Sequence, residues 1–332
     1  MKKMFSIFII LIFSIGGVMI YLNIKEGNHL EVTYFTTHNL NAIEIIEKYY
    51  MTDDGLIKNY SVTDKPEYLA ESTGLYMELL LQQKNEALFG EQVAVLKKYF
   101  IVQVEDDLFI KWKAGIDISV NAFIDDIRII HILKQAAAIF HNEDYGTLAN
   151  GLLASIKKHQ QVNGKIPHYY DWESKDQAPT MVNSYLHNDY LNILDIDKYP
   201  IPSTDGMFYA EEQMIKNDKP ISQEKAHMVD QLLIATYCIG KTCENQKFDK
   251  WLKNQWEEEK TIYGRYNKKN GKATVKYESR AVYSLAVLYF KKIHSPIANE
   301  ILMEKSSFFR NKIDSTTHFF DYIYGVIVSN EE

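Results

Sequence analysis

Residues 68–77 read Tyr-Leu-Ala-Glu-Ser-Thr-Gly-Leu-Tyr-Met and place an acidic residue at the start of an apolar segment. Apolar residues recur three and four apart, which predicts a helix over Leu69–Leu81 with Glu71 in its first turn. A carboxyl group crowded by apolar and aromatic side chains has a raised pKa and suits proton donation. The alternative is an ordinary first-turn acid that complements the helix dipole.

The same arrangement occurs at two later points in the chain. Asp125 and Asp126 begin an apolar helix predicted over Phe123–Phe140, where helix capping is the simpler interpretation. Asp230 has apolar neighbours on both sides within a helix predicted over Ala226–Ile239. Burying that charge without a role would be unfavourable, so Asp230 is a candidate functional residue.

Helical periodicity extends over nearly the whole chain, with about twelve segments separated by polar turns. The other predicted helices are Ile43–Tyr50, Leu88–Tyr99, Leu148–Ile156, Val182–Leu194, Met207–Ile215, Phe248–Trp256, Ala281–Ile293, Ile297–Phe308 and Phe319–Val328. Small β-hairpins are predicted at Val162–Trp172 and Thr261–Tyr277, and Ser119 is the predicted cap of the helix that begins near Phe123. Because each amphipathic helix must bury one face, this pattern predicts an all-α ring of helical hairpins with small β-hairpin insertions.

The first residues predict where the protein resides. Lys2 and Lys3 precede an apolar run, Met4–Tyr21, that is long enough to cross a membrane with its N-terminal end in the cytoplasm. We therefore expect a signal-anchor over residues 1–25 and a domain over residues 30–332 on the extracellular face of the cell membrane. No clear cleavage pattern follows the run, which favours an uncleaved anchor over a secreted product. No cysteine lies near it, which excludes a lipid-modified cysteine there.

Charge and cysteine content narrow the possible partners. The net charge of −7, without a dense Lys/Arg stretch, argues against nucleic acid and disfavours an anionic polysaccharide. Cys238 and Cys243 lie at a predicted helix end, where they form either a local disulfide in an oxidising exterior or two buried thiols. The histidines His131, His187 and His227 lack the paired spacing of a metal site, so we expect no metal or other cofactor.

Several segments resemble glycoside hydrolase family 8. Residues 70–77 resemble its Glu-Gly-x-x-Tyr-Gly-Met segment, in which the Glu is the general acid. Further similar segments are 122–133 (Asp-x-Asp-Leu and its helix), 183–186 (Pro-Ser-Tyr), 108–113 (a strand presenting a tryptophan, here Trp112) and 318–322 (the closing Tyr-Tyr-Asp). Their order and approximate spacing agree from about residue 35 onward.

The resemblance implies an (α/α)6 barrel of six helical hairpins with an open groove. It implies inverting hydrolysis of β-linked glucans, xylans or chitosan, with Glu71 as acid, Asp230 as base and Asp126 binding the sugar and orienting water. The family members encoded with exopolysaccharide synthases are the most similar. This predicts an endo-acting enzyme that trims an exopolysaccharide outside the cell, with a synthase complex as a candidate partner. The residues expected to bind substrate are Trp112, Asp125, Tyr185, Tyr277 and Arg280.

Departures from the family pattern leave alternatives open. Ser72 stands where the family has Gly, and Ile124 replaces the first Asp of Asp-x-Asp. Asp230 lacks the Arg that follows the family's base, whereas Glu278 lies between a Tyr and a nearby Arg and is the alternative base. Asp230 is preferred because the number of helices remaining after it matches the family. Two other functions remain: a catalytically degenerate polysaccharide-binding subunit of a synthase, and a polysaccharide lyase, which the negative charge disfavours.

Overall fold

The computed structural model describes residues 35, 40–197, 201–309 and 312–330. The predicted anchor over residues 1–25 therefore lies outside the described residues. Within the described ranges, none of the helices combines the length and apolar character needed to cross a membrane.

Helices alternate along the chain between an outer and an inner layer. The outer helices are α1 (Ala42–Ile45, continued by a π-helical segment Ile46–Tyr50), α3 (Glu86–Tyr99), α5 (Glu143–His159), α8 (Gln246–Glu259) and α10 (Ile297–Glu304). The inner helices are α2 (Ala70–Gln82), α4 (Phe123–Ile139), α6 (Asn188–Ile193), α7 (Met228–Cys238), α9 (Arg280–Lys292) and α11 (Phe319–Asn330). Long inner helices such as α4 are buried on most sides, whereas outer helices such as α8 bury one stripe. This difference follows from their places in the two layers.

The inner helices close into a ring. Helix α2 packs against α4 and α11, α11 packs against α9, and α9 packs against α7. The ring is completed by the 3-10 turn Asn183–Tyr185, which packs against α7, and by α6, which packs against α4. This architecture is the predicted (α/α)6 barrel. Because an outer segment separates consecutive inner helices in the chain, the inner helices run parallel. Their first turns therefore meet at one end of the barrel, here called the mouth.

One of the six hairpins departs from the predicted pattern. The predicted helix Val182–Leu194 is a strand end, the 3-10 turn and the short α6, and the predicted helix Met207–Ile215 is two strands. Tertiary hydrogen bonds explain the difference: the Asn183 amide donates to the carbonyl oxygen of Ala210, and its backbone N–H donates to that of Glu211. Local periodicity does not encode such contacts.

Short strands decorate the loops. They are β1 (Ile101–Val104), β2 (Asp107–Ile110), β3 (Tyr170–Asp171), β4 (Asp176–Gln177), β5 (Thr180–Val182), β6 (Thr204–Asp205), β7 (Phe208–Tyr209), β8 (Glu212–Met214), β9 (Pro220–Ile221), β10 (Lys225–His227) and β11 (Arg265–Asn267). All of their pairings are antiparallel: β1 with β2, β3 with β4, β6 with β7, β10 with β11, and β5-β8-β9 as a three-stranded sheet. Cys238 at the end of α7 is disulfide-bonded to Cys243, which decides between the two states that the sequence left open.

Neighbouring loops supply hydrogen bonds to the first turns of inner helices. The backbone N–H groups of Ala70, Phe123, Met228 and Phe319 donate to carbonyl oxygens of other segments, respectively Trp112 (2.9 Å), His168 (3.0 Å), Gly264 (3.0 Å) and Asn59 (2.8 Å). Helices α2, α4 and α7 have no side-chain cap, and the predicted cap Ser119 is wrong because Ala122 holds that position. The acidic side chains in these three first turns are therefore not needed as N-caps.

Candidate active site

Glu71 lies at the mouth in the first turn of α2, beside the start of α4. Its side chain is partly exposed, whereas Asp125 of α4 is 7% exposed and forms an ion pair with Arg128 (3.1 Å). Burial, with a smaller contribution from the nearby Asp125, raises the pKa of Glu71 to about 8, although the Arg128 guanidinium opposes both effects. Burial likewise raises the pKa of Asp125 to about 6, although Arg128 opposes the shift. The mouth thus holds a partly exposed glutamate whose raised pKa favours the protonated form at neutral pH.

A glycine one turn after Glu71 allows α2 to approach α4 closely. A Cβ at Gly74 would lie 3.0 Å from Ile129 and 3.6 Å from the Arg128 side chain. A larger residue would force the two helices apart by displacing these side chains. Gly74 therefore helps to keep Glu71 within electrostatic reach of the pair formed by Asp125 and Arg128.

Asp126 is held in place by a hydrogen-bond network of side-chain and backbone amide groups. The Asn121 side-chain NH2 donates to Asp126 Oδ2 (2.8 Å) and to Gln160 Oε1 (2.7 Å), while the Tyr170 backbone N–H donates to Asn121 Oδ1 (2.6 Å). Asp126 is 3% exposed, its Oδ1 has no hydrogen-bond partner among the described residues, and burial raises its pKa well above the usual value. The site therefore contains a fixed carboxyl group with one acceptor oxygen still unsatisfied.

Asp230 lies in the first turn of α7 and is fully buried. Its Oδ1 accepts a hydrogen bond from Ser184 Oγ (2.6 Å), and its Oδ2 is hydrogen-bonded to His227 Nδ1 (2.7 Å). Both carboxyl oxygens are thus held in place by the adjoining 3-10 turn and by the residue that precedes α7. This geometry fixes the carboxyl group and covers it with polar side chains.

A second buried acid supports this region. Glu211 Oε1 accepts from the backbone N–H of His227 (2.8 Å) and from the Gln231 side chain (2.8 Å), and it lies 3.8 Å from Lys268 Nζ. Burial raises the pKa of Glu211 to about 7, Asp230 adds to the increase, and Lys268 opposes it. Glu211 therefore ties the start of α7 to the strands that precede it.

The ring order separates the two candidate catalytic acids. Two inner helices lie between α2 and α7 in either direction around the ring of six, so Glu71 and Asp230 lie on opposite sides of the mouth. Asp125 and Asp126 lie on α4, between these two positions. The arrangement can supply acidic groups to both sides of a molecule bound across the mouth.

The remaining predicted residues lie in different environments. Trp112 is partly exposed and its carbonyl oxygen bonds the first residue of α2, which places it next to Glu71. Tyr185 is buried and stacks on Phe123 (6.2 Å between ring centres). Tyr277 packs against Gly264, where a Cβ would lie 2.3 Å from its ring.

The alternative base, Glu278, and the nearby Arg280 each contact residues other than the three candidate acids. Glu278 bonds the Tyr283 hydroxyl and pairs with Lys305 (2.5 Å), which follows outer helix α10. Arg280 is buried between α9 and α11, where it donates to the carbonyl oxygen of Lys312 (2.9 Å) and lies 5.4 Å from the ring centre of Tyr322.

Sequence reasoning missed the residues that hold the acids in place: Asn121, Arg128, Ser184, Glu211 and His227. A signal existed for Ser184, which lies in the segment that resembles Pro-Ser-Tyr. Arg128 lies three residues after Asp125, a spacing that favours a pair on one helix face. His227 lies three residues before Asp230, which is the same spacing. The contacts of Asn121 and Glu211 depend on loops that no local pattern brings together.

Comparisons with known proteins agree with this architecture. No protein-family model matches the chain. PssZ from Listeria monocytogenes is 32% identical, with a TM-score of 0.80 over 90% of this chain and 96% of PssZ. An α-amylase from Clostridium perfringens is 20% identical, with a TM-score of 0.73 over 87% of this chain and 95% of its own. The family 8 endoglucanase Cel10 from Klebsiella pneumoniae shares the fold at 12% identity, with a TM-score of 0.61 over 87% and 99% of the two chains.

A relative from Bacillus subtilis, described as "Putative lipoprotein YdaJ", is 31% identical over 277 residues, which cover 79% of this chain and 72% of YdaJ. Identity at this level over most of both proteins indicates common descent. The chain therefore belongs to the protein family of YdaJ, and its barrel is that of the family 8 glycoside hydrolases.

Proposed function

We propose that this protein is a glycoside hydrolase that cleaves a polysaccharide outside the cell, with Glu71 as the proton donor. The observation that carries the proposal is a partly exposed glutamate at the mouth of this barrel, with its pKa raised to about 8. A glycosidic oxygen must be protonated as it leaves, and a carboxylic acid that is neutral at pH 7 can supply that proton. A carboxyl group that is neutral at pH 7 carries no charge to complement the helix dipole, which weakens the interpretation as an ordinary first-turn acid.

We assign Asp230 as the base that activates water, opposite Glu71. Inverting enzymes hold the two carboxyl groups about 6.5–9.5 Å apart to admit a water molecule. In a ring of six helices spaced about 8–10 Å apart, opposite axes are about 16–20 Å apart. Side chains reaching about 5–6 Å from each axis then leave a gap of about 4–10 Å, which accommodates that separation. The ring order thus allows the separation that inversion requires, and the configuration of the product distinguishes it from retention.

Asp126 and the residues around it suit sugar binding. The unsatisfied Oδ1 of Asp126 is buried, and it would accept a hydrogen bond from a sugar hydroxyl or the attacking water once a neighbouring side chain moves aside. Trp112 beside Glu71 offers a partly exposed aromatic face on which a sugar ring can stack. We propose Asp125, Asp126 and Trp112 as substrate-binding residues next to the acid.

The proposed location is the outer face of the cell membrane, with residues 1–25 as the anchor. The relative described as a putative lipoprotein supports attachment to a membrane, and the disulfide between Cys238 and Cys243 fits an oxidising exterior. An exopolysaccharide that emerges from a membrane synthase would meet the barrel there. We therefore propose a substrate of this class.

A second candidate function is a polysaccharide-binding subunit without activity. The complete burial of Asp230 favours it, because a general base must come within hydrogen-bond reach of water. Movement of Ser184 or His227 on substrate binding would be required for Asp230 to act. The two functions differ in whether any glycosidic bond is broken.

Product analysis on a panel of polymers tests the proposal. The similar proteins are named for different polymers, so the panel should include cellulose, xylan, starch and exopolysaccharide from the source organism. We expect new reducing ends from at least one polymer, with the opposite anomeric configuration to the substrate linkage in early NMR spectra. Saturable binding without any reducing ends would instead establish the second candidate, and retained configuration would remove Asp230 as an opposite-face base.

We expect the pH dependence of kcat/KM to reflect the raised pKa of Glu71. The acid is active when protonated, so activity should persist through neutral pH and fall as pH rises through about 8. A carboxyl group with its ordinary pKa of about 4.3 would already lose activity in weak acid. A pH–rate profile on the best polymer measures this basic limb; a decline complete by pH 6 would contradict the assignment.

A further inference from the structure

A second concave region lies against outer helix α8. It is a cavity of about 1000 Å³ whose lining residues all lie outside the inner helices. On α8 the lining residues are Lys247, Lys250, Trp251 and Asn254, which follow the spacing of a single helix face. The opposite wall is formed by residues 222–224 and by the hairpin tip that carries Lys268 and Lys269.

This cavity is positively charged in an acidic protein. Its lining contains four lysines and one acid, Glu224, whereas the whole chain carries a net charge of −7. Lys247, Lys250 and Lys269 are exposed and make no ion pair within the described residues. A concave surface of one sign concentrates ions of the other sign. The net charge of the whole chain disfavours an anionic polymer. The fold nevertheless gathers lysines that are about twenty residues apart in the sequence into one cavity, so the local charge there is positive.

An aromatic side chain is fixed among these lysines. Trp251 is partly exposed, and its ring packs edge-on against Phe208 (4.7 Å, 65°) and Tyr266 (4.7 Å, 81°). Gly271 adopts φ +68°, and a Cβ there would lie 2.8 Å from Trp251 Nε1, so the hairpin tip approaches the indole closely. The indole is therefore held in place before any ligand arrives, which lowers the entropic cost of binding.

We propose that this cavity binds an acidic polysaccharide, with carboxylate or phosphate substituents on the free lysines and a sugar ring on Trp251. The combination of cations and a fixed aromatic face suits a chain that carries both charged groups and flat apolar sugar faces. A nucleic acid carries a charge on every nucleotide, and the net charge of −7 of the whole chain disfavours it. The inference rests on the proposed function only in taking the polymer to be a polysaccharide.

Affinity electrophoresis of the full chain tests this site with two polymers that share a backbone, carboxymethyl cellulose and hydroxyethyl cellulose. We expect the charged polymer to retard the protein more strongly than the neutral one at low ionic strength. The triple variant Lys247→Ala, Lys250→Ala, Lys269→Ala should bind carboxymethyl cellulose about tenfold more weakly, because three exposed ion pairs are lost. The matched control Lys65→Ala, Lys84→Ala, Lys97→Ala removes the same charge from exposed positions elsewhere and should stay within about twofold.

Equal loss in both triple variants would overturn the site, because the effect would then be one of total charge. Equal retardation by the neutral polymer would overturn the recognition of charge, and displacement by single-stranded DNA at the same charge concentration would show a general polyanion surface. Trp251→Phe keeps the packing against Phe208 and should weaken binding about threefold through reduced stacking. If no polymer is hydrolysed but the lysine dependence holds, the proposed function fails and the cavity site stands. Hydrolysis without lysine-dependent binding removes only the cavity site.

Discussion

Glu71→Gln lowers kcat for polysaccharide hydrolysis by about 10²–10⁴-fold, the usual contribution of a general acid, while the polymer still binds. Glutamine reproduces the shape of the protonated carboxyl group but has no acidic proton to give to the leaving oxygen. Because burial raises the pKa of Glu71 to about 8, the parent side chain is already neutral at pH 7. The free energy of unfolding should therefore change little. Reducing-end release and urea unfolding, measured side by side, separate catalysis from folding.

The matched control is Glu86→Gln, which changes a first-turn glutamate of outer helix α3. Glu86 is exposed and its helix is capped by Asn85, so its removal tests the role of an ordinary first-turn acid. We expect full activity from this variant and a change in stability below about 1 kcal/mol. Unchanged hydrolysis by Glu71→Gln would return Glu71 to the same ordinary role and remove the carboxyl group on which the proposed mechanism depends.

Hydrophobic periodicity was sufficient to predict most of the barrel. Inner helices such as α4 and α9 are nearly continuous apolar segments, and outer helices such as α8 have one apolar stripe, so both were visible in the sequence. One exception is the stretch Met207–Ile215, where apolar residues also occur at helical spacing. There the chain forms strands because Glu211 and Gln213 are buried in contacts with distant segments. Local pattern cannot decide between structures that differ in their tertiary partners.

The candidate site was predictable only as a set of isolated acids. Glu71, Asp126 and Asp230 stand out because each is an acid at the head of, or within, an apolar helix. The hydrogen-bond partners of these acids could not be predicted in the same way. Asn121 donates to Asp126 from a loop, and Ser184 donates to Asp230 from 46 residues earlier in the sequence. The pKa of Glu71 likewise depends on Asp125 and Arg128 of another helix. Such contacts arise from closure of the ring, which spacing along the chain does not describe.

Asp230→Asn should lower kcat by about 10²–10⁴-fold, because the amide cannot take a proton from the attacking water. The substitution keeps the shape of the side chain, but one of its two positions becomes an NH2 donor facing either Ser184 Oγ or His227 Nδ1. A modest loss of stability is therefore expected, and urea unfolding must accompany the kinetics. The comparison variant is Glu278→Gln, which should keep activity within about tenfold because Glu278 is paired with Lys305 of the outer layer.

A comparison of the activities of Asp230→Asn and Glu278→Gln shows which side of the mouth supplies the base. If Glu278→Gln abolishes hydrolysis and Asp230→Asn does not, the water is activated beside α9 rather than α7. The double variant Glu71→Gln, Asp230→Asn adds a further test, since residues that act in one transition state give losses that do not sum. A double variant no slower than the slower single variant would indicate that both groups act on the same bond. Fully additive losses would mean that Asp230 acts on another step, in which case its hydrogen bonds to Ser184 and His227 serve to position the start of α7.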